Sequence, residues 1–308
     1  MAVAFKIDEC SKLETVNRTK EDFVVKRNTL LQECVAECIG VFIILFFGAG
    51  SVAALIFMKN YDSFWELSVM WGLAVMLAIY ITGGVTGAHL NPAVTIGLAA
   101  FKGFPVKKII PYIVSQTVGA FLGAAAVYGM YFRNFAVWEK AEGIVRGTAA
   151  GKADAAIFFT FPQDGLGYVQ ACVVELAITA MLMIVILAAT DEYNPARPTP
   201  GMAAFIIGIA IAVIGGTFGG LTGFALNPAR DFGPRIFAVL AGWGDTALPG
   251  PSGYFWVPIV GPILGGLTGG FVYQKLIHSV FVNREIEAET VGETRKKENL
   301  KKVFKEVN

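Results

Sequence analysis

The chain has 308 residues, 55% of them hydrophobic and 16% charged, with a mean hydropathy of +0.59. A soluble domain carries roughly a quarter charged residues, so the composition excludes an ordinary water-soluble globule and points to a membrane protein. A net charge of +1 offers nothing to nucleic acid, and the cysteines at 10, 34, 38 and 172 form no CxxC pair, so no metal site, disulfide or organic cofactor is expected.

Residues 1–29 are mixed and charged and read as an N-terminal tail, not a signal peptide. A membrane span needs about 20 apolar residues. Such runs occur at 38–58, 67–81, 109–132, 168–190, 202–218 and 254–277, and residues 279–308 form a charged C-terminal tail. The expected organisation is one channel-like domain over 30–278. Its halves cover 30–132 and 168–278, joined by an extracellular linker at 133–167.

Two apolar segments are left over, 92–101 and 228–240, and each opens with the proline of an Asn-Pro-Ala. Ten residues of helix reach about 15 Å, half of a hydrocarbon core of about 30 Å. Proline suits the first helical turn and asparagine before it is a good N-cap. Each Asn-Pro-Ala therefore starts a half-helix. Irregular backbone at membrane depth persists only where it lines something wet, so segments 83–90 and 215–226 are expected to border an aqueous passage.

Asn91 and Asn227 lie 136 residues apart, and Glu37 and Glu175 lie 138 apart. Three spans per half force the second half to enter from the opposite side. The fold class is thus an all-α membrane protein, with six transmembrane helices and two re-entrant half-helices in an inverted repeat, a design that sets its site at the midplane. Lys20, Lys26, Arg27, Lys102, Lys107, Lys108, Lys275, Arg284 and the basic run at 295–297 fall on one side. That side is cytoplasmic by the positive-inside rule, and it holds both termini.

Half-helices meeting end to end bring two positive dipole ends together, with the Asn91 and Asn227 amides as donors. A solute that turns its oxygen to them breaks a proton wire, and the field repels cations. The carbonyls of Gly87, Ala88, His89 and Leu90, and of Leu221, Thr222, Gly223 and Phe224, are expected to form a ladder of acceptors. Arg230, one position beyond the second Asn-Pro-Ala, offers donors and excludes cations; pairing with Asp231 is its structural alternative. Glu37 and Glu175 read as acids that hold the loop backbone open, with proton relay as the sharper alternative. The His89 ring buttresses its loop, and His278 belongs to the interfacial tail.

TGAHLNPAVTIG and GFALNPARDFGPRIF, with the inverted halves and the glutamate pair, resemble the major intrinsic proteins, the aquaporin superfamily, over about residues 31–277. Within it the chain looks like the glycerol facilitator, or aquaglyceroporin, branch. The resemblance implies a selectivity filter of Trp71, Gly215, Phe224 and Arg230 beside the boxes Asn91, Pro92, Ala93 and Asn227, Pro228, Ala229. Gly215 stands where water-only relatives have histidine. Tyr131, Asp231, Arg235, Pro258 and Ile259 also fit the glycerol-conducting pattern, while Gly220 departs from a frequent proline. The implied function is passive passage of glycerol and similar small neutral solutes with some water, through a homotetramer in the plasma membrane. Urea, dihydroxyacetone, linear polyols, lactic acid and metalloid hydroxides are left unordered. A secondary transporter shares the inverted repeat but needs ion-coordinating groups. An intramembrane enzyme needs an HExxH, a GxSxG or a catalytic carboxylate pair, and the sequence holds none of these.

Overall fold

The computed structural model describes residues 28–287 and 290–291. Most of both expected tails, and Cys10, therefore lie outside the described residues. Among the described residues, six helices are long and apolar enough to cross a membrane.

Helix α1 spans Leu30–Met58 and begins at a capping box made by Thr29 and Gln32. It starts well before residue 38 because the acids of its first turns find partners. Glu33 pairs with Lys108 at 2.7 Å and accepts from the Tyr112 hydroxyl at 2.9 Å. Helix α2 spans Phe64–Thr86, and the half-helix α3 spans Pro92–Phe101 with Asn91 as its N-cap. Helix α4 spans Ile109–Glu142. The short helix α5 covers Lys152–Ala155, and α6 covers Tyr168–Thr190. Helix α7 covers Ala203–Thr222, and the half-helix α8 covers Pro228–Ala238 with Asn227 as its N-cap. Helix α9 covers Val257–Val272 and continues through a π turn at Tyr273–His278, the helical run reaching Glu287.

The repeat is visible in the packing. Helix α1 packs on α4 and α6 on α9, while α2 and α7 cross between the halves. Each half-helix rests on the last helix of the other half, α3 on α9 and α8 on α4. Small residues allow this closeness. A Cβ on Gly208 would lie 2.7 Å from the Gly72 carbonyl, and one on Gly266 would lie 2.7 Å from the Ala93 carbonyl.

Three expectations change. Residues 83–86 and 215–222 are helical, not irregular. The two glycines at 83 and 84 do not end α2, because the left-handed residue that does is Gly87 (φ 79°), whose N–H caps the Gly83 carbonyl. Gly223 (φ 76°) ends α7 likewise on Gly219. The linker 133–167 is not an open loop. Its first ten residues extend α4, and Asp154, Ile157, Phe158 and Phe159 are buried. Phe158 stacks on Phe135 at 5.6 Å, both near Trp243, because so many apolar rings are stable only when packed. Finally, His278 lies in the π turn of the last helical run and not in a tail: its Nδ1 lies 2.7 Å from Asp191, which also accepts from the Tyr273 hydroxyl at 2.9 Å. That cluster ties the chain between α6 and α7 to the end of the last helix.

Candidate functional site: a neck between two cavities

The two extended loops follow the same backbone path. Ala88 (φ 53°) and Leu90 (φ 52°) adopt left-handed conformations, as do Phe224 (φ 39°) and Leu226 (φ 57°) at the equivalent places. Such conformations are costly for residues with a side chain and persist only where the surroundings hold them. The surroundings here are two buried carboxylates. Glu37 accepts from the backbone N–H of His89 (3.0 Å) and Leu90 (2.6 Å) and from the Gln116 amide (2.7 Å). Glu175 accepts from the N–H of Ala225 and of Leu226, both at 2.9 Å, and from the Thr222 hydroxyl at 2.6 Å. The loops' N–H groups are thereby drawn away from the passage.

Asn91 and Asn227 do more than cap. The Asn91 side-chain oxygen accepts from the Ala93 N–H, and that of Asn227 from Ala229 and Arg230. Each amide nitrogen also donates across to the other loop, Asn91 to the Leu226 carbonyl at 2.9 Å and Asn227 to the Leu90 carbonyl at 2.7 Å. A side-chain amide has two N–H donors, so one remains on each nitrogen. Pro92 and Pro228 occupy the first helical turn, and Ala93 and Ala229 are buried beside them.

Two cavities meet about one turn beyond Asn227, at Arg230. One, of about 370 Å³, is lined by Gly87 to Asn91, by Phe224 to Asn227, and by Tyr80 and Gly201 at its far end. The other, of about 670 Å³, opens on the linker side past Phe64, Phe161 and Asp164. Trp71, Phe224 and Arg230 line both and so form the neck. The Trp71 and Phe224 rings meet edge to face at 6.2 Å and 79°. The Arg230 guanidinium lies 4.0 Å over the Trp71 ring, and its Nη1 donates to the Phe158 carbonyl at 3.0 Å.

Two expected site features need correction. Leu221 and Thr222 end helix α7 and line neither cavity. The Leu221 carbonyl accepts from the Gln163 N–H at 2.8 Å, and the Thr222 hydroxyl goes to Glu175. The separation of 136 residues that relates Asn91 to Asn227 carries Gly87–Leu90 onto 223–226, and Ala225 and Leu226 line the first cavity where Leu221 and Thr222 do not. Gly215 does not wall the passage either. It lies behind Phe224, where an added Cβ would stand 3.0 Å from the ring and 2.8 Å from the Ser68 hydroxyl.

Arg230 does not pair with Asp231. Asp231 is buried with Arg235, which holds it through Nε one turn on, and it accepts from the Thr160 N–H and hydroxyl, both at 2.7 Å. Arg235 also donates to the Thr160 and Ala247 carbonyls at 2.6 and 3.0 Å. The linker therefore supports the neck through Phe158 and Thr160, which sequence reasoning missed. The spacing of four between Asp231 and Arg235 was an available signal for that pair. The His89 ring packs on Phe104 and Tyr112 and meets the Thr95 hydroxyl at 3.2 Å.

The pattern of the family described as Major intrinsic protein matches residues 24–273. The chain belongs to the major intrinsic protein family. As a major intrinsic protein it is a multi-pass membrane channel. It is 51% identical over 252 residues to the glycerol uptake facilitator protein of Escherichia coli (strain K12), covering 81% of this chain and 89% of that one. It is 46% identical over 252 residues to the propanediol uptake facilitator PduF of Citrobacter freundii, covering 81% and 93%. Among solved structures it is similar to the aquaglyceroporin from Plasmodium falciparum, with a TM-score of 0.73 and 34% identity over 82% of this chain and 99% of that one.

Proposed function

We propose that this major intrinsic protein is a passive channel for glycerol and related small neutral solutes, with some water, and not an enzyme. The observation that carries the reading is the neck itself: two aromatic faces and one guanidinium where the two cavities meet. A carbon chain fits the rings, and hydroxyls on its other edge receive Arg230 hydrogen bonds. Past the neck, the solute meets carbonyls of Gly87–Leu90 and of the equivalent 223–226 as acceptors, and the two remaining Asn91 and Asn227 N–H groups as donors. Cations are repelled by Arg230 and by the N-terminal ends of α3 and α8. Protons are stopped because a water held by both asparagines cannot pass one along. The names of the facilitators and of the aquaglyceroporin above support glycerol as the solute class.

Reconstituted protein in liposomes tests this by light scattering after osmotic shock. Glycerol reswelling that is fast, linear to high concentration and independent of any ion gradient is expected. Saturable, ion-dependent uptake would overturn the reading in favour of a transporter.

The same proposal places the chain as a homotetramer in the plasma membrane, with 30–278 as the channel domain and both termini cytoplasmic. The outward stripe Ile110, Val114, Val118 and Leu122 on α4 is exposed at helical spacing and suits lipid or sister subunits. Lys102, Lys107 and Lys108 gather at the end opposite the linker, in keeping with the positive-inside rule. An impermeant thiol probe on intact cells is expected to label Asp164→Cys and not Lys107→Cys. Cross-linking in membranes is expected to stop at four subunits.

A further inference from the structure

Phe224 has a left-handed backbone at the neck, a conformation that a residue with a side chain keeps only where its surroundings hold it. Something else must fix the ring. Its surroundings are two faces. On α2, Phe64 and Trp71 stand seven residues apart, two turns along one side of the helix. Phe224 meets both edge to face, Phe64 at 6.0 Å and 77° and Trp71 at 6.2 Å and 79°. On α7, Gly215 and Gly219 lie one turn apart beneath the ring. A Cβ on Gly219 would stand 2.7 Å from Phe224 Cδ1 and closer still to Phe64 Cε1, so the two rings share the space that this glycine leaves. Trp71 has a comparable slot, since a Cβ on Gly48 of α1 would lie 2.5 Å from its ring.

The slot at Gly219 is not needed for the helix to form. A glycine in a helix interior weakens it relative to alanine. Nor does Gly219 carry the left-handed turn, which falls on Gly223. Phe64 is likewise half in the open, on the wall of the linker-side cavity, where an apolar ring gains little from burial. Both residues make sense as parts that aim Phe224.

We propose that Phe64 and Gly219 are positioning residues of the selectivity neck, which set how far the Phe224 ring reaches toward Arg230 and so which solutes pass. The inference rests on the proposed filter reading. With Phe64 gone, Phe224 swings toward the linker-side cavity and the neck widens. With a methyl at 219, the ring has no room behind it and moves into the passage.

The test measures glycerol, water and ribitol fluxes of the reconstituted full chain, each divided by the amount of channel in the liposomes. Gly219→Ala is expected to lower glycerol flux about tenfold while water flux falls much less. Phe64→Ala is expected to raise ribitol flux relative to glycerol several-fold. Gly219→Ala combined with Phe64→Leu, which hands back ring volume, is expected to recover most of the glycerol flux. A merely structural role would instead lower all fluxes in parallel and show no recovery. Unchanged flux ratios in Phe64→Ala overturn the proposal, whether or not Gly219→Ala folds. Phe224→Leu separates the two readings. If it changes the ratios while Phe64→Ala does not, the filter stands and the positioning role fails. If Phe224→Leu also changes nothing, the filter reading itself is wrong and the positioning role falls with it.

Discussion

The two loops around Asn91 and Asn227 share a backbone path, the same left-handed positions and the same buried glutamate, yet the helices after them differ in chemistry. In α8 the first turn carries Arg230 and Asp231, where α3 has Val94 and Thr95. In the first half this turn is satisfied by neutral groups. The Thr95 hydroxyl donates to the Asn91 carbonyl at 3.0 Å and accepts from the Gln116 amide at 3.1 Å. The second half buries an ion pair and ties it to the linker through Thr160. What the halves share is what the fold needs: a helix start, a carboxylate under the loop and small residues at crossings. What they do not share sits at the neck. On the proposed filter reading, selection between solutes is the work of the asymmetric part.

This contrast can be broken or sharpened by substitution. Asp231→Ala leaves the fully buried Arg235 without its partner and is expected to cost about 3–5 kcal/mol. Thr95→Ala, the equivalent change in the first half, is expected to cost about 1 kcal/mol. Thermal unfolding in detergent measures both, and equal losses would show that the ion pair is not the special anchor of its half. Glu37→Gln and Glu175→Gln are expected to cost about 2–3 kcal/mol each, because each turns one of two accepting oxygens into a donor that faces the loop's own N–H groups. Similar losses in the two variants sharpen the idea of a shared scaffold, and a gap well above 1 kcal/mol would break it.

Arg230→Val gives the second half the residue of the first. It removes one hydrogen bond to the Phe158 carbonyl, so the expected loss of stability is about 1 kcal/mol. Discrimination between glycerol and a five-carbon polyol is expected to fall about tenfold in reswelling assays. Unaltered discrimination would move the selective step elsewhere.

The smallest effect concerns the linker. Burial, with Glu139 beside it, pushes the Asp154 carboxyl up to about 6, while the Trp243 N–H at 2.9 Å pulls the other way. A carboxyl that ionises later when folded loses stability as pH rises from its free value through that range, and keeps it at lower pH. Asp154→Asn is therefore expected to raise the melting temperature slightly at pH 7.5 and to change it little at pH 4. A variant less stable at pH 7.5 would mean that the ionised form is the one the linker needs.

Much of this was legible in the sequence for a physical reason. Asn-Pro-Ala in an uncharged run has one stable use, and a second copy at a fixed separation doubles the constraint. A glutamate inside a span must find donors, and extended loops have spare N–H groups. Helix ends were harder to read. In α2 the end falls at Gly87 rather than at Gly83 or Gly84, a choice made by which glycine takes a positive φ, not by composition. Reading Leu221 and Thr222 as loop came from the same difficulty, although the separation of 136 would have set the register. The linker was illegible because its burial depends on Trp243 and Phe237, about eighty residues away. Gly215 was identified by resemblance, but its place behind the ring follows only from packing.

The crossed bonds from Asn91 to Leu226 and from Asn227 to Leu90 stitch the two halves together at their shared centre. Any rocking of one half against the other would have to break both. The traffic is thus a crossing of a fixed aperture and not a mechanical cycle. The thermal signature follows: conduction should quicken with warming about as gently as diffusion through water does, with none of the steep dependence that a carrier owes to its own rearrangement.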